Sequence, residues 1–174
     1  MSIKNLRGQV LLALSIVSYF FSYGQEPADY FGDRCTGTWE GTMYLSEGGK
    51  IKDSLTVTFE VKKKEEAKAW TWRTTYSGRP EKIVKDYVLK LVDASSGSYV
   101  IDEGDGILLN CYLFGQRLFS TFSVGDNLLT ANYQLSKDGL YFEVTSSRRE
   151  ESTGDGSIYN YSVLHVQNVL LTRS

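Results

Sequence analysis

The sequence predicts an all-β protein: a single antiparallel up-and-down β-barrel of about ten strands. Three observations lead there. Apolar and polar residues alternate with a period of two along much of the chain, short turns rich in Gly, Asp and Ser separate the runs, and no later stretch has a long helical period. Short strands joined by tight turns pair antiparallel with their sequence neighbours. Closing the first strand on the last covers both open edges, so a barrel is the simplest architecture; a two-sheet sandwich is the other that the pattern allows.

The first 24 residues are expected to lie outside that fold. Lys4 and Arg7 form a positive start, Val10–Phe21 is an apolar run, and Ser22 and Gly24 occupy the small-residue positions of a cleavage site. This is the pattern of a signal peptide cut between Gly24 and Gln25. Its apolar run is shorter than the roughly 20 residues of a membrane span. No Cys follows it to take a lipid anchor. The expected organisation is a signal peptide over 1–24, a lead-in over 25–35 and one barrel domain over 36–174, in an exported soluble protein, secreted or periplasmic.

Lys4 and Arg7 leave with that segment and no acid does, so 17 basic and 21 acidic residues remain, a net charge of −4. A mildly acidic chain without a basic run argues against nucleic acid and anionic membrane surfaces as partners. A small molecule, a protein or no partner at all remains, and a monomer is the expected state.

The elements follow in order. Gln25–Arg34 carries Pro27, Tyr30 and Phe31, aromatics that either cap an open barrel end or belong to a loose tail. Along Gly37–Leu45 the odd positions, Trp39 and Met43 among them, face the apolar side, and Glu40 faces water. A buried indole needs a group over its ring and an acceptor for its N–H, and Arg173 on the closing strand offers a guanidinium for the ring. Leu55, Val57, Phe59 and Val61 alternate with Thr56, Thr58 and Glu60; Lys62–Ala67 is a charged turn; Trp70, Trp72, Thr74 and Tyr76 share one face. Ile83–Asp93 is a strand of mixed pattern. Tyr99–Asp102 and Ile107–Phe114 flank the turn Glu103-Gly104-Asp105-Gly106. Leu118–Val124, Leu128–Leu135 and Leu140–Ser146 follow, then a polar loop Ser147–Ser157 and a long final strand Ile158–Thr172.

Gly37-Thr38-Trp39 near one end, with Thr172-Arg173 at the other, resembles the calycin superfamily of lipocalins, fatty-acid-binding proteins and avidins; nitrobindin-type haem-binding barrels look similar. The resemblance implies a barrel in which Trp39 packs on Arg173. This chain departs from each relative. Ser46–Asp53 is too short for the helical lid of fatty-acid-binding proteins, and Ser147–Ser157 lacks the apolar pattern of the lipocalin helix. After Trp39 the polar biotin-holding residues of avidins are replaced by Glu40-Gly41-Thr42-Met43-Tyr44. Ten strands and a short first turn leave the nitrobindin type as the nearest overall match.

Few residues suggest chemistry. His165 is the one histidine, and counting back by twos from Arg173 through Leu171, Val169 and Gln167 places it on the inner face unless a bulge intervenes. Nitrobindin-type barrels hold haem through a His on their closing strands, which makes His165 a haem-ligand candidate by resemblance; a satisfied interior or outward histidine is the alternative. Cys35 and Cys111 are the only thiols of an exported chain, which favours a disulfide, and avidins bridge similar positions. Against it, Cys111 sits in mid-strand, where a thiol can be a buried small hydrophobe. Asp102, Glu103 and Asp105 read as turn chemistry rather than a cation site, and Arg148, Arg149, Glu150 and Glu151 as a solvated loop. No catalytic motif or metal-ligand cluster is visible, so no enzyme is expected. The expected function is binding of a small apolar or amphipathic ligand, of unknown identity, inside the barrel. Trp70, Trp72 and Tyr76 would line the cup, with His165 and Gln167 as polar fixing points. The alternative is a structural or protein-interaction module with a filled core.

Overall fold

Alternating residues make strands, and here each strand hydrogen-bonds to its neighbours in sequence. The computed structural model describes residues 29–66, 68–78, 80–151 and 154–174. The expected signal peptide lies outside the described residues. A short helix α1 (Phe31–Cys35) precedes β1 (Gly37–Glu47), β2 (Lys50–Val61), β3 (Ala69–Ser77), β4 (Ile83–Asp93) and β5 (Ser98–Gly104). Then come β6 (Ile107–Phe114), β7 (Arg117–Val124), β8 (Asn127–Ser136), β9 (Gly139–Arg149) and β10 (Tyr161–Arg173). The ten strands form one closed antiparallel barrel in which β1 pairs with both β2 and β10. No edge is left unpaired, and the sandwich alternative falls away.

Several boundaries differ from the sequence reading: β1 and β2 run on into 46–53 and leave only Gly48 and Gly49 between them, and the last strand begins at Tyr161 rather than Ile158. The polar loop starts later than Ser147, because β9 runs on to Arg149 and pairs there with Tyr161, where β10 begins. A register shift between Val163 and His165 absorbs the extra residue. The lead-in also ends in a helix of 5 residues that no helical period announces.

That helix closes one end of the barrel. Phe31, Gly32 and Cys35 are its buried face, and Gly32 lies so close to Trp70 that a β-carbon there would overlap the indole ring. Trp70 Nε1 donates to Asp33 Oδ1 at 3.0 Å, Lys63 Nζ binds the same oxygen at 3.0 Å, and Tyr30 meets Trp70 edge-on at 6.1 Å. Gly37 then starts β1 with φ +137°, a region that side chains rarely enter, and a β-carbon there would meet the Arg173 guanidinium. Trp39 pairs in register with Arg173, whose Cζ stands 4.6 Å from the indole centroid, and Trp39 Nε1 donates to the Cys35 carbonyl at 2.8 Å. The arginine also donates to the Arg34 carbonyl at 3.2 Å, tying the last strand to the plug.

Above the plug the interior is solid. Trp72 is 0% exposed, with Phe59 edge-on at 4.8 Å and Tyr133 at 5.0 Å, and Tyr133 stacks on Phe142 at 4.4 Å. Met43, Val57, Leu89, Leu118, Leu140 and Val169 fill the space around these rings. Such ring pairs add stability beyond their buried area. Burial then declines along the barrel axis: on β3, Trp70, Trp72 and Thr74 are buried while Tyr76 is half-buried, and on β10 Leu171 and Val169 are buried, Gln167 half-buried and His165 exposed.

Candidate functional site

Past the aromatic floor, at the end away from α1, the barrel opens into a cavity of about 310 Å3. Leu45, Leu55 and Ile83 give it apolar walls; Tyr76, Ser77, Lys85, Glu81 and Gln167 supply the polar groups. Strand pairing brings these together. Leu45 of β1 lies opposite Gln167 of β10, Tyr76 of β3 opposite Ile83 of β4, and Lys85 opposite Thr74, all on inward positions. Burial pushes the Tyr76 hydroxyl up to about 12, so it stays protonated and serves as a donor throughout the physiological range. Tyr87, deeper on β4, is likewise pushed up to about 12, by burial first and then by Glu103 beside it.

The residues named from sequence divide by depth. Tyr76 and Gln167 line the cavity. Trp70 and Trp72 do not: Trp70 lies under α1 and Trp72 within the floor, both fully buried. Among the buried polar side-chain atoms of the described residues, Trp72 Nε1 and Arg34 Nε lack a hydrogen-bond partner. His165 keeps the parity of Gln167, because the bulge lies beyond it, but it stands at the rim with a side chain 50% exposed and Nε2 3.7 Å from Glu47 Oε1. It borders a second cleft, which shares Leu45 and Gln167 with the cup and adds Glu47, Lys52, Asp53 and Val166.

The expected disulfide is corrected: Cys35 and Cys111 are both free and buried. Cys35 closes α1 in the plug, whereas Cys111 sits in the middle of β6 with its Sγ 3.5 Å from the Leu109 carbonyl. Each serves as a small apolar filler. Burial pushes the Cys35 thiol up to about 12 against the lowering influence of Arg34 and Arg173, and Cys111 up to about 11.

The acidic group disperses over both wall faces. Asp102 faces outward, taking Lys90 Nζ at 3.0 Å and the Gly104 amide at 3.0 Å, whereas Glu103 neighbours Tyr87 inside. Arg148 meets Glu150 at 3.4 Å on the surface. No group of three metal-ligating side chains occurs among the described residues.

Sequence reasoning missed Lys85, Glu81, Leu45, Leu55 and Ile83 as cavity residues. The signal was present for β4: Ile83, Lys85, Tyr87, Leu89 and Leu91 share one face, but an inward Lys beside an outward Val84 disguised the alternation.

Fold and site together define a calycin-like barrel, plugged at one end and open at the other. The sequence matches no protein-family model and no curated protein. Among solved structures it is similar to the S-type phycobiliprotein lyase CPES of Guillardia theta, at 10% identity and a TM-score of 0.58, covering 83% of this chain and 90% of that one. It is also similar to a DUF3598-family protein of unknown function from Nostoc punctiforme, at 12% identity and a TM-score of 0.52. That match spans 80% of this chain and 47% of the other, about half its length. At these identities the likeness is one of fold.

Proposed function

We propose that this protein is an exported, monomeric barrel that binds a small amphipathic molecule in the cup at its open end. The observation behind it is the cavity of about 310 Å3, apolar at Leu45, Leu55 and Ile83 and polar at Tyr76, Lys85 and Gln167. Small-molecule sites have this size and mixture, from roughly 300 Å3 upward with few polar groups among many apolar ones. The filled floor limits the ligand to the upper part of the barrel. Outward Glu40, Glu60, Arg73, Asp86 and Lys90 put charges along the part of the wall built by β1 to β4, where a lipid-facing barrel carries an apolar band. Among the described residues no helix is long and apolar enough to cross a membrane. One neighbour in fold is called a phycobiliprotein lyase, so biliverdin belongs in the ligand panel beside haemin and simple amphiphiles.

Native mass spectrometry of the protein purified from its own host tests the reading. A bound small molecule lost in a Tyr76→Ala variant supports the cup; wild-type protein that carries nothing and takes up none of the panel removes it. N-terminal sequencing of the same material, with Gln25 as the expected first residue, tests export.

A second reading has its own support. On the outer wall Phe114 is 68% exposed and meets Phe119 at 6.1 Å, with Tyr112 and Leu108 further along β6. An apolar patch of this kind suits a protein partner. A concentration-dependent oligomer that Phe114→Ser dissociates would favour that reading over the monomeric binder.

A further inference from the structure

We propose that the ligand of the cup carries a carboxylate head on an apolar body, and that Lys85, Tyr76 and Gln167 receive that head. This rests on reading the cup as a ligand site and adds the chemical class of the ligand.

The argument starts from how β4 treats its charges. Asp86 faces outward with Arg73 at 3.9 Å, and Lys90 faces outward with Asp102 at 3.0 Å. Lys85 has the opposite parity and borders the cup. Among the described residues its ammonium has no ion pair, and neither the Tyr76 hydroxyl nor the Gln167 amide has a hydrogen-bond partner. Three groups able to donate, Lys85 exposed at the mouth and Tyr76 and Gln167 half-buried, thus line one apolar-walled cavity, with Glu81 as its one carboxylate. A Lys ammonium only donates, and a Tyr hydroxyl that keeps its proton donates readily. An ionised carboxylate only accepts, through two oxygens, and charge-assisted hydrogen bonds are the strong ones.

Glu81 at the rim is the one acceptor-only group among the residues lining the cup, and it makes no ion pair with Lys85. It would welcome an ammonium head, but it stands alone against three donors. Its charge at the entrance disfavours a ligand with a second anionic group there. The geometry therefore favours a monoanion with its head among the donors and its body against Leu45 and Leu55.

Three probes with the same tail separate the possibilities: decanoic acid, 1-decanol and decylamine, titrated calorimetrically at neutral pH into wild type, Lys85→Met, Lys85→Arg and Glu81→Gln. The expected result is decanoate about 10-fold tighter than decanol, the scale of one partly screened charge-assisted hydrogen bond, with decylamine weakest. Lys85→Met should erase the acid-over-alcohol ratio, Lys85→Arg should keep it, and Glu81→Gln should raise it. Because the readout is a ratio, a general loss of affinity leaves it interpretable. Equal binding of acid and alcohol, or preference for the amine, overturns the carboxylate head and leaves the cup standing. Binding of none of the three overturns the cup, and this inference with it.

Discussion

The two ends of the barrel are built from the same strands and treat them in opposite ways. At the α1 end the inward tryptophans are covered: Trp70 by Gly32 and Tyr30, Trp39 by Arg173, and Trp72 by Phe59 and Tyr133. At the other end Tyr76, Lys85 and Gln167 face a cavity. A closed sheet needs only part of its length packed to hold its circumference. The remaining length, standing on a rigid floor, is free to carry polar groups that a packed core would not tolerate.

If the floor holds the fold, the largest effect should come from truncating it. Trp72→Ala should destabilise by about 3–5 kcal/mol in urea unfolding, whereas Tyr76→Ala, four residues on but half-buried, should cost about 1 kcal/mol. Equal costs would dissolve the distinction between the ends.

Gly32→Ala tests the plug by overpacking it. We expect a loss of about 1–3 kcal/mol as the Trp70 ring is forced aside, with a red shift of tryptophan emission as α1 lifts. A variant with unchanged stability and spectrum would mean that α1 is not a tight cover.

Alkaline pH should act on the interior. Folding raises the pKa of Cys35 from 9.0 to about 12 and of Cys111 from 9.0 to about 11, both through burial. The folded state therefore holds protons that the unfolded chain releases. The contribution is complete below pH 9 and is lost as pH rises through that window, at roughly 1 kcal/mol per pH unit for each thiol. Cys35→Ala/Cys111→Ala should flatten the decline. Thiol titration should give two reactive groups after unfolding without reductant and almost none in the native protein; none in either state would restore the disulfide.

Arg173→Met should cost about 1 kcal/mol, the size of a cation–π contact and one hydrogen bond in a partly exposed place. Smallest of all, Lys85→Met should leave stability within about 0.5 kcal/mol while changing ligand preference. A marked loss of stability there would make Lys85 a structural residue and weaken its assignment to the cup.

Much of the fold could be read directly. Alternation placed Leu55, Val57 and Phe59 on one face, Gly and Asp marked the turns, and the pairing of the outer strands followed from the need to cover both edges. The site was legible only in part. Tyr76 and Gln167 were named, but Trp70 and Trp72 were placed with them because all three aromatics of β3 share a parity.

The sequence by itself determined the face of each residue, since a strand repeats every two residues whatever surrounds it. Only the tertiary structure decided depth. Trp70 and Tyr76 lie six residues apart on one inward face, about 20 Å along the strand, which separates a ring sealed beneath a helix from one beside an open cavity. Leu171, Val169, Gln167 and His165 repeat this on β10, passing from buried to exposed at constant parity. Depth depends on which end of the barrel is covered. That was settled by a helix of 5 residues, too short to have a period of its own, docking through Phe31, Gly32 and Cys35 on side chains that the rest of the chain had gathered.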